Sequence, residues 1–327
     1  MVMSERATWL LPVKNGMPYL TETLASIEAQ TYRHWEVLAW DNGSTDETVA
    51  ELRRWIPSRL PGRVISDRPL SLGHSLARMV EIAETEFCAR IDADDINLPE
   101  RLERQVAFLL EHPEVGVVGS QIEFIGEHEC ACPEAWMQPS SDAEIRWKLR
   151  WENALHHPTV MFRRSVVLAA GNYADCMPYE DYDLWMRVAL IAEIANIPRA
   201  LVKYRFHPTS VTGAKGNPGW AFDAVAARNA DSLFSGIPGP AALEIRENSS
   251  ERSERKVRLW DFVALHEAAT KAAISSGKPT SYFRSTSLYA KQQKNLLGKW
   301  LRQWAWGRAC LITKRRIQSY FGKTLVG

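Results

Sequence analysis

With 327 residues, 46% hydrophobic and 24% charged, the chain has an ordinary globular composition, and no repeat or disorder bias is visible in it. Its formal net charge of +1 hides an asymmetry: no acidic residue follows Glu267 while twelve Lys and Arg do, which leaves residues 1–267 at about −11. Five scattered cysteines without zinc-site spacing argue against a disulfide framework; the start holds Glu5 and Arg6 rather than a leader, and no apolar run of about 18 residues predicts a spanning helix, so a reducing cytoplasm is expected.

In chain order, Trp9-Leu10-Leu11-Pro12-Val13 is a short apolar run stopped by Lys14-Asn15-Gly16, which reads as a buried strand ending in a loop. Tyr19, Leu20, Thr23, Leu24 and Ile27 recur at three-to-four spacing and predict an apolar helical face from about Pro18 to Gln30. Trp35 to Trp40 is strand-like, and Ser44-Thr45-Asp46-Glu47 has the spacing of a capping box with Ser44 as the cap. A strand is expected near Val64 to Ser66, a helix over Leu72 to Ala83 and a strand over Phe87 to Ile91. Pro99 should open a helix reaching Glu111, with strand again over Val115 to Val118. A helix from about Asp181, a strand near Leu201 to Arg205 and helices over 220–275 complete the expectation. This alternation predicts an α/β fold, a mostly parallel central sheet flanked by helices. Ligands bind such sheets beyond the carboxyl ends of the strands. Lys14-Asn15, Asp41-Asn42 and Asp92 to Asp95 each follow a predicted strand, so three strand ends point to one crevice.

Asp92-Ala93-Asp94-Asp95 places three carboxylates within four residues. Like charges so close raise one another's pKa unless a cation neutralises them. Oxygen ligands at this density suit Mn2+ or Mg2+, with positions left open for substrate phosphates. On an extended backbone Asp92 and Asp94 share a face while Asp95 points away. The alternative is a solvated acidic turn capping the helix that follows Pro99.

Several motifs together resemble the family 2 inverting glycosyltransferases over residues 7–212. They are Leu11-Pro12-Val13-Lys14-Asn15-Gly16, Ser26-Ile27 with Gln30-Thr31, Asp41-Asn42-Gly43-Ser44-Thr45-Asp46, Ile91-Asp92-Ala93-Asp94-Asp95 with Leu98-Pro99-Glu100-Arg101, His157-Pro158-Thr159, Glu180-Asp181-Tyr182-Asp183-Leu184-Trp185 and Tyr204-Arg205-Phe206-His207. Lys14 and Asn42 depart from the family pattern, which more often carries Tyr and Asp there. The resemblance implies a GT-A-type nucleotide-diphospho-sugar transferase fold over 1–219, with a helical C-terminal region over 220–327.

By the same resemblance, Pro12, Val13 and Asn15 line the nucleotide pocket, and Asp41 accepts a hydrogen bond from the base or, alternatively, makes an Asx turn. Arg90 is a pyrophosphate candidate or a surface ion pair. Asp94, beside Ala93, ligates the metal, Asp92 contacts ribose or metal-bound water, and His207 is a further ligand or a loop residue. Asp181 is the base that takes the acceptor hydroxyl's proton, with Glu180 its competitor and helix capping the alternative for both. His156 and His157 orient acceptor or phosphate, or are structural; Trp136, Trp147 and Trp151 stack on sugar rings or belong to the core. The implied activity is metal-dependent inverting transfer from a nucleotide-sugar, a UDP-sugar first, to a glycan or lipid-linked acceptor in polysaccharide assembly. A nucleotidyltransferase making NDP-sugars and an inactive membrane-associated sugar-binding scaffold are the competing readings.

Leu296, Leu297, Trp300, Leu301, Trp304, Leu311 and Ile312 fall in one helical arc, followed by Lys314-Arg315-Arg316. Residues 294–316 therefore read as an interfacial helix at a membrane surface, peripheral at its inner face, or as a helix docked on the acidic domain. No nucleic-acid module accompanies the tail.

Overall fold

The computed structural model describes residues 5–126, 130–131, 136–149, 152–174 and 179–207, and parts of 266–297. The chain divides into two units, Met1–Leu233 and Phe234–Gly327. In the second, Ala269, Ala273, Phe283, Tyr289 and Leu296 are buried. The expected 219/220 boundary and most of the 294–316 segment lie outside the described residues.

The first unit opens with β1 (Ala7–Val13), α1 (Leu20–Glu28), β2 (Trp35–Asp41), α2 (Thr48–Trp55), β3 (Gly62–Ile65), α3 (Leu72–Ile82) and β4 (Phe87–Arg90). It continues with β5 (Ile96–Asn97), α4 (Arg101–Glu111), β6 (Val115–Gly126), β7 (Cys130–Ala131) and α5 (Asp142–Lys148). After a 3-10 turn at His157–Thr159 come β8 (Met161–Arg163), α6 (Arg164–Ala169), α7 (Glu180–Val188) and β9 (Glu193–Phe206). The strands form one sheet in the order β3-β2-β1-β4-β8-β6-β9-β5, with β7 on β6. β1, β2, β3 and β4 pair in parallel, as do β6 and β9. β8 is antiparallel to both its neighbours, and β5 to β9.

Every residue of β1 is buried, as a central strand covered on both faces requires. Its alternate residues Ala7, Trp9, Leu11 and Val13 share a core with Leu20, Leu24 and Ile27 of α1, Leu52 and Trp55 of α2, and Leu102, Val106 and Leu109 of α4. α3 lies against β1 and β2 as well. Because β2 and β4 flank β1 on opposite sides, the chain direction reverses there, and the loops after β1 and β4 open into one crevice.

Four expectations are corrected. Ser44 does not cap α2: its hydroxyl accepts from Asn15 N at 2.8 Å, and α2 starts four residues later. The helix after Pro99 begins at Arg101. The strand at Val115 runs on to Gly126, and the one at Leu201 begins at Glu193, because the two pair along their whole lengths.

Candidate active site

The loops after β1 and β2 are stitched together. Asn15 takes a left-handed backbone, φ 54°, and its Oδ1 accepts from Thr45 N at 2.8 Å. Gly16 N donates to Thr48 Oγ1 at 2.8 Å and Met17 N to Asp46 Oδ2 at 3.2 Å. Asp41, opposite Val13 in register and only 2% exposed, accepts from Gly43 N at 3.1 Å and from Ser44 N through both oxygens. The Asx turn is thus present. Asn42 bridges to α3, donating to Ser75 Oγ at 3.1 Å and accepting from Leu70 N at 3.2 Å. Pro12 and Val13 are buried, whereas Asn15 is exposed at the crevice.

Beyond β4 the chain makes a tight turn rather than an extended run, with Asp95 N directed at Asp92 O over 3.5 Å. That turn overturns the expectation that Asp95 points away: carboxylate oxygens of Asp92, Asp94 and Asp95 lie within 4.8 Å of one another. Asp95 is 1% exposed; its Oδ1 accepts from Arg205 N at 2.8 Å and its Oδ2 is buried without a hydrogen-bond partner. Burial, then the Asp92 and Asp94 charges, raise its carboxyl well above the usual range. His207, just past β9, reaches Asp94 Oδ2 through Nε2 at 2.9 Å and packs on Tyr19. Arg205 donates to Asp94 O and Glu22 and lies over the Tyr19 ring.

The second acid group opens α7. Tyr179, just before it, holds φ 88°, a left-handed conformation uncommon for a non-glycine residue. Asp181 Oδ1 accepts from Tyr182 N at 2.7 Å and Oδ2 from Asn153 Nδ2 at 2.6 Å. Burial still raises its carboxyl, against those donors and Arg90. Glu180, 5% exposed, is lifted to about 7 by burial and then by the Asp181 charge. Between the two groups lies Arg90, 3% exposed, paired with Asp92 and with its Nε buried and unpartnered. Its charge is felt by Asp92, Glu180 and Asp181; Asp92 also feels the Asp181 charge, and Glu180 that of Asp92. Arg90 is therefore a buried ion pair rather than a surface one.

Asn153, Tyr173 and Asp95 contact these candidate groups, and sequence reasoning missed or misdirected them; nothing in local spacing marks the first two, since their partners lie 28 and 16 residues away. Trp147 is fully buried core, Trp136 is 39% exposed, and Trp151 lies outside the described residues. His156 binds Trp136 O through Nε2 at 3.0 Å, a structural contact.

Among solved structures, S. aureus TarS 1-349 in complex with UDP-GlcNAc superposes with a TM-score of 0.61, at 19% identity over 90% of this chain and 89% of that one. A Pyrobaculum calidifontis mannosyltransferase, PcManGT, in complex with GDP-Man and Mn2+ gives 0.50 at 19% identity, over 91% and 87%. The fold is thus the GT-A-type α/β fold of nucleotide-sugar transferases. The Glycosyl transferase family 2 model matches residues 8–168. The amylovoran biosynthesis glycosyltransferase AmsE of Erwinia amylovora is 32% identical over 60% of this chain and 74% of its own length. The O-antigen biosynthesis glycosyltransferase WbnJ of Escherichia coli is 29% identical over 59% and 76%. The chain belongs to glycosyl transferase family 2 and is a glycosyltransferase.

Proposed function

We propose that the protein moves one sugar, with inversion, from a nucleoside diphosphate sugar, a UDP-sugar in the first instance, to a hydroxyl of a glycan or lipid-linked glycan. The observation that carries this reading is two acid groups coupled electrostatically to one buried cation, Arg90: Asp92, Asp94 and Asp95 in the turn beyond β4, and Glu180 and Asp181 at the start of α7. The donor class is supported by UDP-GlcNAc in TarS, and the acceptor class by the O-antigen role in the name of WbnJ.

A divalent cation, Mn2+ or Mg2+, fits the first group. Its donors are carboxylate oxygens and one imidazole, and the buried Asp95 Oδ2 lacks any other partner. Asp94 would ligate the cation directly, Asp92 would hold ribose or bound water, and His207 would complete the set. When bound, the cation acts as a Lewis acid that neutralises charge on the departing nucleoside diphosphate, as the Mn2+ complex of PcManGT suggests by analogy.

Pro12, Val13, Asn15 and Ala93 shape the nucleotide pocket, and Asp41 uses the lone pairs its turn leaves free to accept from the base. Arg90 holds the diphosphate side of the donor. Asp181, more exposed than Glu180, takes the proton of the acceptor hydroxyl as that oxygen attacks opposite the leaving phosphate. Asp181→Asn should lower kcat by about 10²- to 10⁴-fold, while a UDP-sugar with Mn2+ still raises the melting temperature. Full activity in that variant would discard the assignment of the base. A panel of UDP-, GDP-, CMP- and dTDP-sugars, with and without Mn2+, reads the donor and the metal by the same shift.

Residues 294–316 are proposed to bring the enzyme to the inner face of a membrane. The full chain should sediment with anionic vesicles at low salt and be released when Lys314, Arg315 and Arg316 are replaced by Ser. Equal sedimentation of both proteins would remove the membrane role.

A further inference from the structure

Resting on Glu180 and Asp181 as the proton-accepting pair, we infer that His157 is the positioning residue of that pair: backed by Tyr173, it presents its Nδ1–H to both carboxylates and fixes the oxygen that receives the proton.

His157 opens the 3-10 turn His157–Thr159, and that turn is bolted to its surroundings. Thr159 Oγ1 accepts from Ser120 N at 3.0 Å and donates to His156 O at 2.8 Å, while Thr159 O accepts from Gln105 Nε2 at 2.7 Å. The imidazole is 9% exposed and packs against Tyr173, ring centroids 5.7 Å apart, and edge-on to Trp185 at 6.0 Å. Trp185 belongs to α7, the helix that carries both acids, so ring and acids share one rigid frame.

The two ring nitrogens face different partners. Nε2 lies 3.0 Å from the Tyr173 hydroxyl. Nδ1 lies 3.7 Å from Glu180 Oε1 and 4.0 Å from Asp181 Oδ2, distances at which one N–H is shared electrostatically between two oxygens. Burial, then the Arg90 charge, hold the imidazole well below its ordinary pKa, so the ring is neutral and carries a single proton. Above about pH 7, where Glu180 is ionised, a proton on Nε2 would leave the Nδ1 lone pair confronting two carboxylates. With it on Nδ1, the Tyr173 hydroxyl donates to Nε2 and the N–H dipole points at the negative charge. Electrostatics selects the second tautomer.

The other groups facing the pair are Arg90 at the end of β4, Asp92 in the turn beyond it, Tyr173, and the Asn153 amide on Asp181. None of them places an N–H between the two acids as His157 does. Removing that donor should raise the pair's apparent pKa and misalign the receiving oxygen. It should leave the nucleotide pocket on β1 and β2 untouched.

The test compares His157→Asn, whose amide nitrogen takes the place of Nδ1, with His157→Gln, whose amide reaches the place of Nε2. Tyr173→Phe is measured beside them; it removes only the hydroxyl and keeps the ring packed. In the full chain His157→Gln should lose about 10²-fold in kcat with donor KM unchanged, and the acidic limb of its pH profile should move upward. His157→Asn should recover most of that loss, and Tyr173→Phe should move the limb the same way by less. Equal losses in the two His157 variants with an unmoved limb would reduce His157 to packing and overturn the inference. An unmoved limb in Tyr173→Phe would do the same if His157→Gln fails to fold. Asp181→Asn, run alongside, separates the two levels: if it stays active, the base assignment itself falls.

Discussion

Glu180 carries a pH signature of its own. Burial and the Asp181 charge hold its carboxyl at about 7 in the folded protein, against an ordinary 4.5. Folding therefore favours the protonated form, so the stability linked to this group is complete below about pH 4.5 and is lost as pH rises through about 7. Glu180→Gln keeps the uncharged shape at every pH. Its melting temperature should equal that of the wild type near pH 4.5 and exceed it at about pH 8; a constant difference across that range would show that the shift is absent. At this scale the sequence revealed chemistry better than geometry. The acids at 92–95 and 180–181 were visible as clusters, but alternation along an ideal strand sent Asp95 the wrong way because the backbone turns there. His157 was weighed as an acceptor ligand or a structural residue; its direction toward the acids comes from a turn fixed by Ser120 and Gln105, 37 and 52 positions upstream.

Elements were legible where periodicity is local. The face of α1 and the existence of α3 follow from spacing, although the cap of α3, where Ser71 Oγ accepts from His74 N, went unread. What spacing could not show is capping supplied from elsewhere. Glu100, at the start of α4, makes no side-chain cap. Gln30, fully buried after α1, does that work instead: its Oε1 accepts from Leu102 N at 3.1 Å and its Nε2 donates to Leu98 O at 2.9 Å. Gln30→Leu would strand Leu102 N in the core, whereas Leu98 O would keep its bond from Arg101 N at 3.0 Å. Each unsatisfied buried group costs about 1–3 kcal/mol, so the variant should unfold at distinctly lower denaturant with an unchanged m-value. A midpoint within error of wild type would mean that Leu102 N finds another partner. The direction of the short β8, antiparallel between β4 and β6, was equally hidden, because it is set by partners far along the chain.

For the whole molecule, alternating strands and helices declared the parallel half of the sheet and its crevice, while the pairing of β6 with β9 across some 80 residues needed the coordinates. The charge contrast between the first 267 residues and the tail was readable from composition alone. The stitching of the loops after β1 and β2, the proposed walls of the nucleotide pocket, bears on how the enzyme would meet its donor. Asn15, Gly16 and Met17 are tied to Ser44, Asp46 and Thr48, so the two walls should travel as one body and have little ordering left to do on encounter. Nucleotide capture should then be a single bimolecular event: in stopped-flow fluorescence the observed rate climbs linearly with concentration in the wild type. Asn15→Ala, which severs the ties through the Asn15 side chain, should bend that line toward a plateau, the mark of a preceding wall rearrangement. A plateau already present in the native enzyme would mean that the walls part and rejoin on every turnover.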